Sequence, residues 1–214
     1  MSKIALVAGT TGLIGSQLLD LLLADTGFEK VIAISRKPLE KANPKLHNVV
    51  CELNQLPAAL QNIKADVIFC CLGTTMRIAK SKEVFRAVDY EAPLALAKIA
   101  KENGAKKYIL VSALGSNKNS SIFYNQVKGQ VEEAITHVEF ESYHILQPSL
   151  LTGPRKEQRS GEGAAQVFYK IFGFLIPKKY ASIESIKVAR AMIAYSKTES
   201  KGTLIHSSAE MQVF

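Results

Sequence analysis

Short apolar runs alternate along the chain with longer stretches whose apolar residues recur every three or four positions. That is the pattern of parallel strands joined by crossover helices, and it predicts an α/β fold. The runs predict strands at Lys3–Ala8, Val31–Ser35, Val49–Glu52, Val67–Cys71, Tyr108–Val111 and Tyr143–Gln147, with a seventh at Thr203–His206. Apolar residues at 14, 18, 21 and 22 predict a helix over Leu13–Ala24, and those at 84, 85, 88, 92, 95, 96 and 99 predict one over Val84–Asn103. Asn103-Gly104 closes the second, since glycine readily takes the left-handed conformation that ends a helix. Val127, Val131 and Ile135 predict a third helix over Tyr124–Ile135, and a last one is expected near Ile186–Tyr195. After Pro148 the pattern changes to a charged stretch (155–162) and an apolar amphipathic segment (164–176). The expectation is one domain, with 1–148 as a wound core and 149–214 as a small substrate lobe plus the last core elements.

Composition narrows this reading little. The 214 residues are 47% hydrophobic and 21% charged, enough for one sizeable core. The net charge of +8 raises the question of nucleic acid, but the basic clusters are only pairs, such as Arg36-Lys37 and Lys106-Lys107, and no nucleic-acid partner is expected. No apolar run approaches the roughly 18–20 residues of a membrane span. The apolar run after Met1-Ser2-Lys3 is too short for a secretory signal, so a cytoplasmic protein is expected. Cys51, Cys70 and Cys71 read as buried free thiols, the adjacent pair pointing to opposite faces of a strand. His47, His137, His144 and His206 lack metal-ligand spacing, so no metal is expected.

The first strand runs into Gly9-Thr10-Thr11-Gly12-Leu13-Ile14-Gly15 and then a helix. Glycines so spaced allow a tight turn, close backbone approach to a pyrophosphate, and close packing of helix on strand. The second strand ends in Ser35-Arg36-Lys37, where an acid would select NAD; a guanidinium there favours NADP(H) over NAD(H). Other strand ends complete the expected cofactor site: Glu52 and Leu53; Cys71, Leu72, Gly73 and Thr74; Val111; and Pro148, Leu150 and Leu151.

Tyr124 and Lys128 stand four residues apart on one helical face, and Ser112 closes the preceding strand. The trio suits carbonyl reduction. Tyr124 donates or accepts the proton, a nearby ammonium at Lys128 favours the phenolate and holds the cofactor ribose, and Ser112 donates a hydrogen bond to the substrate oxygen.

With Gly9–Gly15, Phe69–Thr75, Tyr124–Gly129 and the string Arg155–Glu162, the chain resembles the atypical short-chain dehydrogenase/reductases, and among them the Tat-interactive protein group of oxidoreductases. The resemblance implies a Rossmann-type doubly wound, mostly parallel sheet of about seven strands, NADPH binding, and Ser112, Tyr124 and Lys128 as catalytic positions. It also implies a homodimer through the helix from Val84 and the helix carrying Tyr124. The conventional enzymes add an asparagine from the middle helix to a proton relay, and this chain shows no counterpart between Lys82 and Lys101.

Arg77, Arg155 and Arg159 face either an anionic substrate or cofactor phosphate, or form surface ion pairs. The expected activity is NADPH-dependent hydride transfer to or from a small carbonyl or alcohol. The rival is a module that senses NADP(H) and binds a protein partner without turnover. Epimerisation of a nucleotide sugar would need a larger lobe than the residues after Pro148 supply.

Overall fold

The computed structural model describes residues 2–153 and 181–214. The strands are β1 (Lys3–Ala8), β2 (Phe28–Ser35), β3 (Leu46–Val50), β4 (Val67–Cys70), β5 (Lys107–Val111), β6 (Ser142–Gln147), the short β7 (Leu151–Thr152) and β8 (Ile183–Glu184), and β9 (Gly202–Ser207). Seven of them form one sheet in the order β3-β2-β1-β4-β5-β6-β9, every neighbouring pair parallel; β7 and β8 pair separately. The order reverses between β1 and β4, the place where a wound sheet opens a crevice for a ligand at its carboxyl edge.

Alternation along the strands divides the core into two layers. Leu6, Ala8, Ile68, Cys70, Tyr108 and Leu110 meet helices α2 (Leu56–Leu60), α5 (Ala92–Glu102) and α6 (Phe123–Thr136) on one face. Ala5, Val7, Val67, Phe69, Ile109 and Val111 meet α1 (Leu13–Ala24) and α7 (Ser185–Ser196) on the other, where Leu18 and Leu22 pack with Val188, Ala189 and Met192. Cys70 and Cys71 accordingly belong to opposite layers, and all three cysteines are free, Cys71 only partly buried.

Several predicted boundaries move. β2 begins at Phe28, whose ring packs on Phe69, rather than at Val31. The third strand lies at Leu46–Val50 rather than Val49–Glu52, because Glu52 caps the 3-10 turn Leu53–Gln55. β4 stops at Cys70, α6 gains one residue at each end, and β9 extends to Gly202 and Ser207. The single helix expected over Val84–Asn103 is three pieces: α4 (Lys82–Arg86, capped by Ser81), a π turn (Ala87–Glu91) and α5. A π turn adds a residue to the helical repeat and rotates the following positions. The short α3 (Met76–Ala79) precedes it, and α8 (Ser208–Met211) ends the fold. The apolar segment 164–176, with Arg155 and Arg159, lies outside the described residues.

Lys107 is buried at the amino edge of the sheet, where its ammonium donates to the carbonyls of Tyr195, Ser196 and Thr198 and closes the C-terminal end of α7. Beside it His144, His206 and Tyr195 stack across β6, β9 and α7. Burial holds the His144 imidazole down to about 4, helped by His206 and then Lys107. The unfolded chain binds that proton at its ordinary pKa near 6.5, the folded chain only near 4. Stability is therefore full above pH 6.5 and falls as pH drops toward 4, by about 3 kcal/mol for this group. Urea midpoints at pH 7 and pH 4.5 measure the loss, and His144→Gln should flatten it.

Candidate functional site

The glycine loop packs against the end of β4. Gly9 sits at φ +86°, and a Cβ there would lie 2.5 Å from the Cys71 carbonyl oxygen. A Cβ on Gly15 would lie 2.1 Å from the Gly9 carbonyl oxygen. Both positions exclude any side chain by contact with backbone. Gly12 caps α1 without a side-chain hydrogen bond, and no acid stands in the first turn, so the helix presents bare N–H groups and the positive end of its dipole to an anion. Thr10 Oγ1 donates to the Ile34 carbonyl at 3.1 Å and ties the loop to β2.

From that loop a cleft of about 1050 Å³ runs along the carboxyl edge of the sheet. Its walls are Thr10–Ile14, Arg36 and Pro38–Lys41, Cys71–Thr75 with Arg77, and Val111, Ser112, Tyr124, Lys128 and Leu151. Arg36 is exposed at the end of β2 and makes no ion pair among the described residues, whereas Lys41 pairs with Asp20. A smaller pocket of about 340 Å³ lies at the opposite edge of the sheet, around Lys3, Asp66 and Lys107.

The two ends of the reacting constellation are set by α6. Val127, Val131 and Ile135 turn one stripe of this helix into the core, which places Tyr124, Lys128 and Glu132 on the adjoining stripe. Tyr124 packs its ring on Phe85 and lines the cleft, and its hydroxyl has no hydrogen-bond partner among the described residues. Lys128 is buried and pairs at 2.8 Å with Asp89, which is fully buried in the π turn. Burial pulls the lysine's pKa down; Asp89 first, then Tyr124 and Cys70, outweigh it and hold the ammonium above its usual value. The second carboxylate oxygen of Asp89 accepts the Thr74 backbone N–H at 2.8 Å.

Ser112 lines the cleft, yet its hydroxyl donates to the Glu132 carboxylate. Gln147 Nε2 donates to both oxygens of that carboxylate at 3.1 Å. Glu132 is thus a buried acid held by neutral donors. Ser112 Oγ also lies 2.9 Å from Ser116 Oγ, so the wall of the cleft holds its hydroxyl on two sides.

Asp89 and Glu132 are the site residues that the motifs missed, Asp89 falling within the stretch where no relay residue was expected. Each carried a signal. Asp89 stands on the stripe of Phe85, Ala92 and Leu96, and Glu132 stands beside Val131 and Ile135; an acid on an apolar stripe needs a buried partner.

A family model described as NAD(P)H-binding matches residues 9–198, a span that takes in the loop, the cleft and α6. The chain belongs to this family. The NAD(P)H-binding chain is 35% identical over 199 residues to Protein HTATIP2 of Rattus norvegicus, covering 90% of this chain and 80% of that one. It is 30% identical over 219 residues to the mitochondrial Protein FMP52 of Coccidioides immitis, covering 95% and 89%. The fold matches that of MoeE5 in complex with UDP-glucose and NAD at TM-score 0.71 and 17% identity, covering 97% of this chain and 79% of that one. It also matches the UDP-glucose 4-epimerase of Thermotoga maritima at TM-score 0.72, 17% identity and coverages of 95% and 76%.

The cleft fits the cofactor of this family: backbone contacts at Gly9 and Gly15 shape an anion cradle, and the cleft continues to Tyr124 and Lys128. Of the residues expected to bind cofactor, Thr10 to Ile14, Arg36, Cys71 to Thr74, Val111, Tyr124, Lys128 and Leu151 line it. Gly9 and Gly15 support the loop from beneath. Ser35 bonds the Lys37 carbonyl and receives Asn48, while Glu52 and Leu53 build the 3-10 turn; neither pair lines the cleft. Lys37, Pro148 and Leu150 also stand off its walls. No three metal-binding side chains cluster among the described residues, and no helix there is long and apolar enough to cross a membrane.

Proposed function

We infer that this NAD(P)H-binding protein is an oxidoreductase of the atypical short-chain type, using NADPH to reduce a small carbonyl substrate or the oxidised cofactor to oxidise the alcohol. The observation that carries the reading is Tyr124, which lines the cleft one helical turn from a charged lysine and whose hydroxyl has no hydrogen-bond partner among the described residues. The bound cofactor supplies hydride. Tyr124 delivers the proton to the oxygen of the reacting carbon. Lys128 donates to the ribose hydroxyls, and the bare N–H groups of α1 hold the pyrophosphate. Purified protein, assayed by NADPH absorbance against a carbonyl panel, tests the reading; turnover of no member would overturn it.

NADPH is preferred to NADH in this reading because Arg36 is an unpaired guanidinium at the end of β2 with no acid in the ribose-selecting position. Arg36→Glu should weaken NADPH binding by roughly 1.5–3 kcal/mol, about tenfold or more, and leave NADH binding nearly unchanged. Titration of cofactor fluorescence reads both constants. Arg77 lines the cleft beside Ile78 and is the substrate-contacting arginine of this proposal.

The rival, a sensor without turnover, draws support from Ser112, whose proton goes to Glu132. A protein loaded with NADP(H) and inert toward the panel would favour it. The proposed location is cytoplasmic, and fractionation with the FMP52 relatives' mitochondrion as the alternative compartment decides it.

A further inference from the structure

We propose that Asp89 is a positioning residue of the site, a carboxylate that clamps Lys128 as a permanently charged donor for the cofactor and couples it to the loop Gly73–Thr74. The proposal deepens the function inferred above and rests on its cofactor geometry, though its test does not require turnover.

The geometry is specific. One carboxylate oxygen of Asp89 lies 2.8 Å from Lys128 Nζ, and the other accepts the Thr74 N–H at 2.8 Å. Gly73 lies directly over the pair: a Cβ there would stand 3.3 Å from Asp89 Oδ1 and 3.6 Å from Lys128 Nζ. The same acid therefore holds the loop after β4 and the lysine on α6, two walls of one cleft. An amide could accept from Thr74, but would then present its own N–H groups or a neutral oxygen to the ammonium, without a compensating charge. Asp89 lies in the π turn between α4 and α5, on the buried stripe of Phe85, Ala92 and Leu96.

The charge has consequences for the proton chemistry. The groups facing the Lys128 ammonium are Asp89 from the π turn, Tyr124 from its own helix and Cys70 from β4. Glu132, one turn further along α6, is committed to Ser112 and Gln147. With Asp89 in place the lysine and its counter-ion sum to zero, while the ammonium keeps its hydrogen-bonding capacity. Lys128 then serves as a charged clamp on the cofactor.

The test is competitive acetylation of the full chain with trace acetic anhydride between pH 7 and 11, read at each lysine by peptide mass spectrometry. The midpoint of labelling against pH reports protonation separately from access. In the wild-type chain Lys128 should still be rising at the top of the range, above the exposed Lys98. In Asp89→Asn the buried ammonium has lost its counter-ion, and its midpoint should fall by about one unit or more, below that of Lys98. NADPH affinity should be nearly flat from pH 7 to 9.5 in the wild type. In the variant it should weaken about tenfold across that range, as Lys128 loses its proton. A wild-type Lys128 that titrates at or below Lys98, or parallel pH profiles in the two proteins, would overturn the proposal. Should Asp89→Asn fail to fold, the wild-type labelling midpoint still decides. A chain that turns over no carbonyl but shows these profiles refutes the oxidoreductase reading and leaves the role of Asp89 standing.

Discussion

Tyr124→Phe is expected to lower NADPH-dependent turnover by about 10²–10⁴-fold, the usual contribution of a positioned proton donor, while the NADPH dissociation constant stays nearly unchanged. The substitution removes one oxygen and nothing else. The ring packs on Phe85 at 5.6 Å and tilted by 58°, and a phenyl keeps that contact. The lost hydroxyl has no hydrogen-bond partner among the described residues, so its removal leaves no buried group unsatisfied and stability should change little. Steady-state rates beside fluorescence titration of NADPH separate the two effects. Equal rates in both proteins would remove Tyr124 from the chemistry. A parallel loss of cofactor affinity would assign it to binding instead.

The second large effect is expected from Gly15→Ala. The new methyl would be placed 2.1 Å from the Gly9 carbonyl oxygen and 2.8 Å from its carbon, both backbone atoms, with the Cys71 Cβ at 3.3 Å. A flexible side chain could swing away from such a contact; backbone cannot. Relief requires α1 to move off the glycine loop, which separates the N–H groups of the helix from the turn that shapes the anion cradle. A cost of about 3 kcal/mol, the upper part of the range for overpacking a tight interior, should fall on both folding and cofactor binding. That corresponds to about a hundredfold in the NADPH dissociation constant. Calorimetric unfolding with and without NADPH measures both. An unshifted unfolding temperature with normal binding would show that the loop is looser than this contact allows.

Strands and cofactor loop were legible in the sequence because their signals are local. A buried parallel strand is a short apolar run, and the glycines at 12 and 15 meet the Gly9 carbonyl within one strand-turn-helix. Tyr124 and Lys128 were legible for the same reason, since a spacing of four places them on one face of α6. The break in the middle helix was not: residues 82–102 keep an apolar stripe, and nothing in that periodicity distinguishes a π turn at Ala87–Glu91 from a continuous α-helix. Nor was the strand at Leu46–Val50 well placed. It is one of the two edge strands, half-exposed along its length, so its apolar signal is weak.

The sequence by itself determined the α/β class and the parallel strands, through the alternation of local patterns along the chain, and the glycine cradle and the tyrosine-lysine pair, each encoded among near neighbours. Only the tertiary structure decided how the charges of the site are partnered. Asp89 reaches Lys128 across 39 positions and Ser112 reaches Glu132 across 20, pairings that exist because the π turn before α5 and the end of β5 both meet α6. Burial makes those pairings obligatory, since an ammonium or carboxylate withdrawn from water must find its partner wherever the fold brings one.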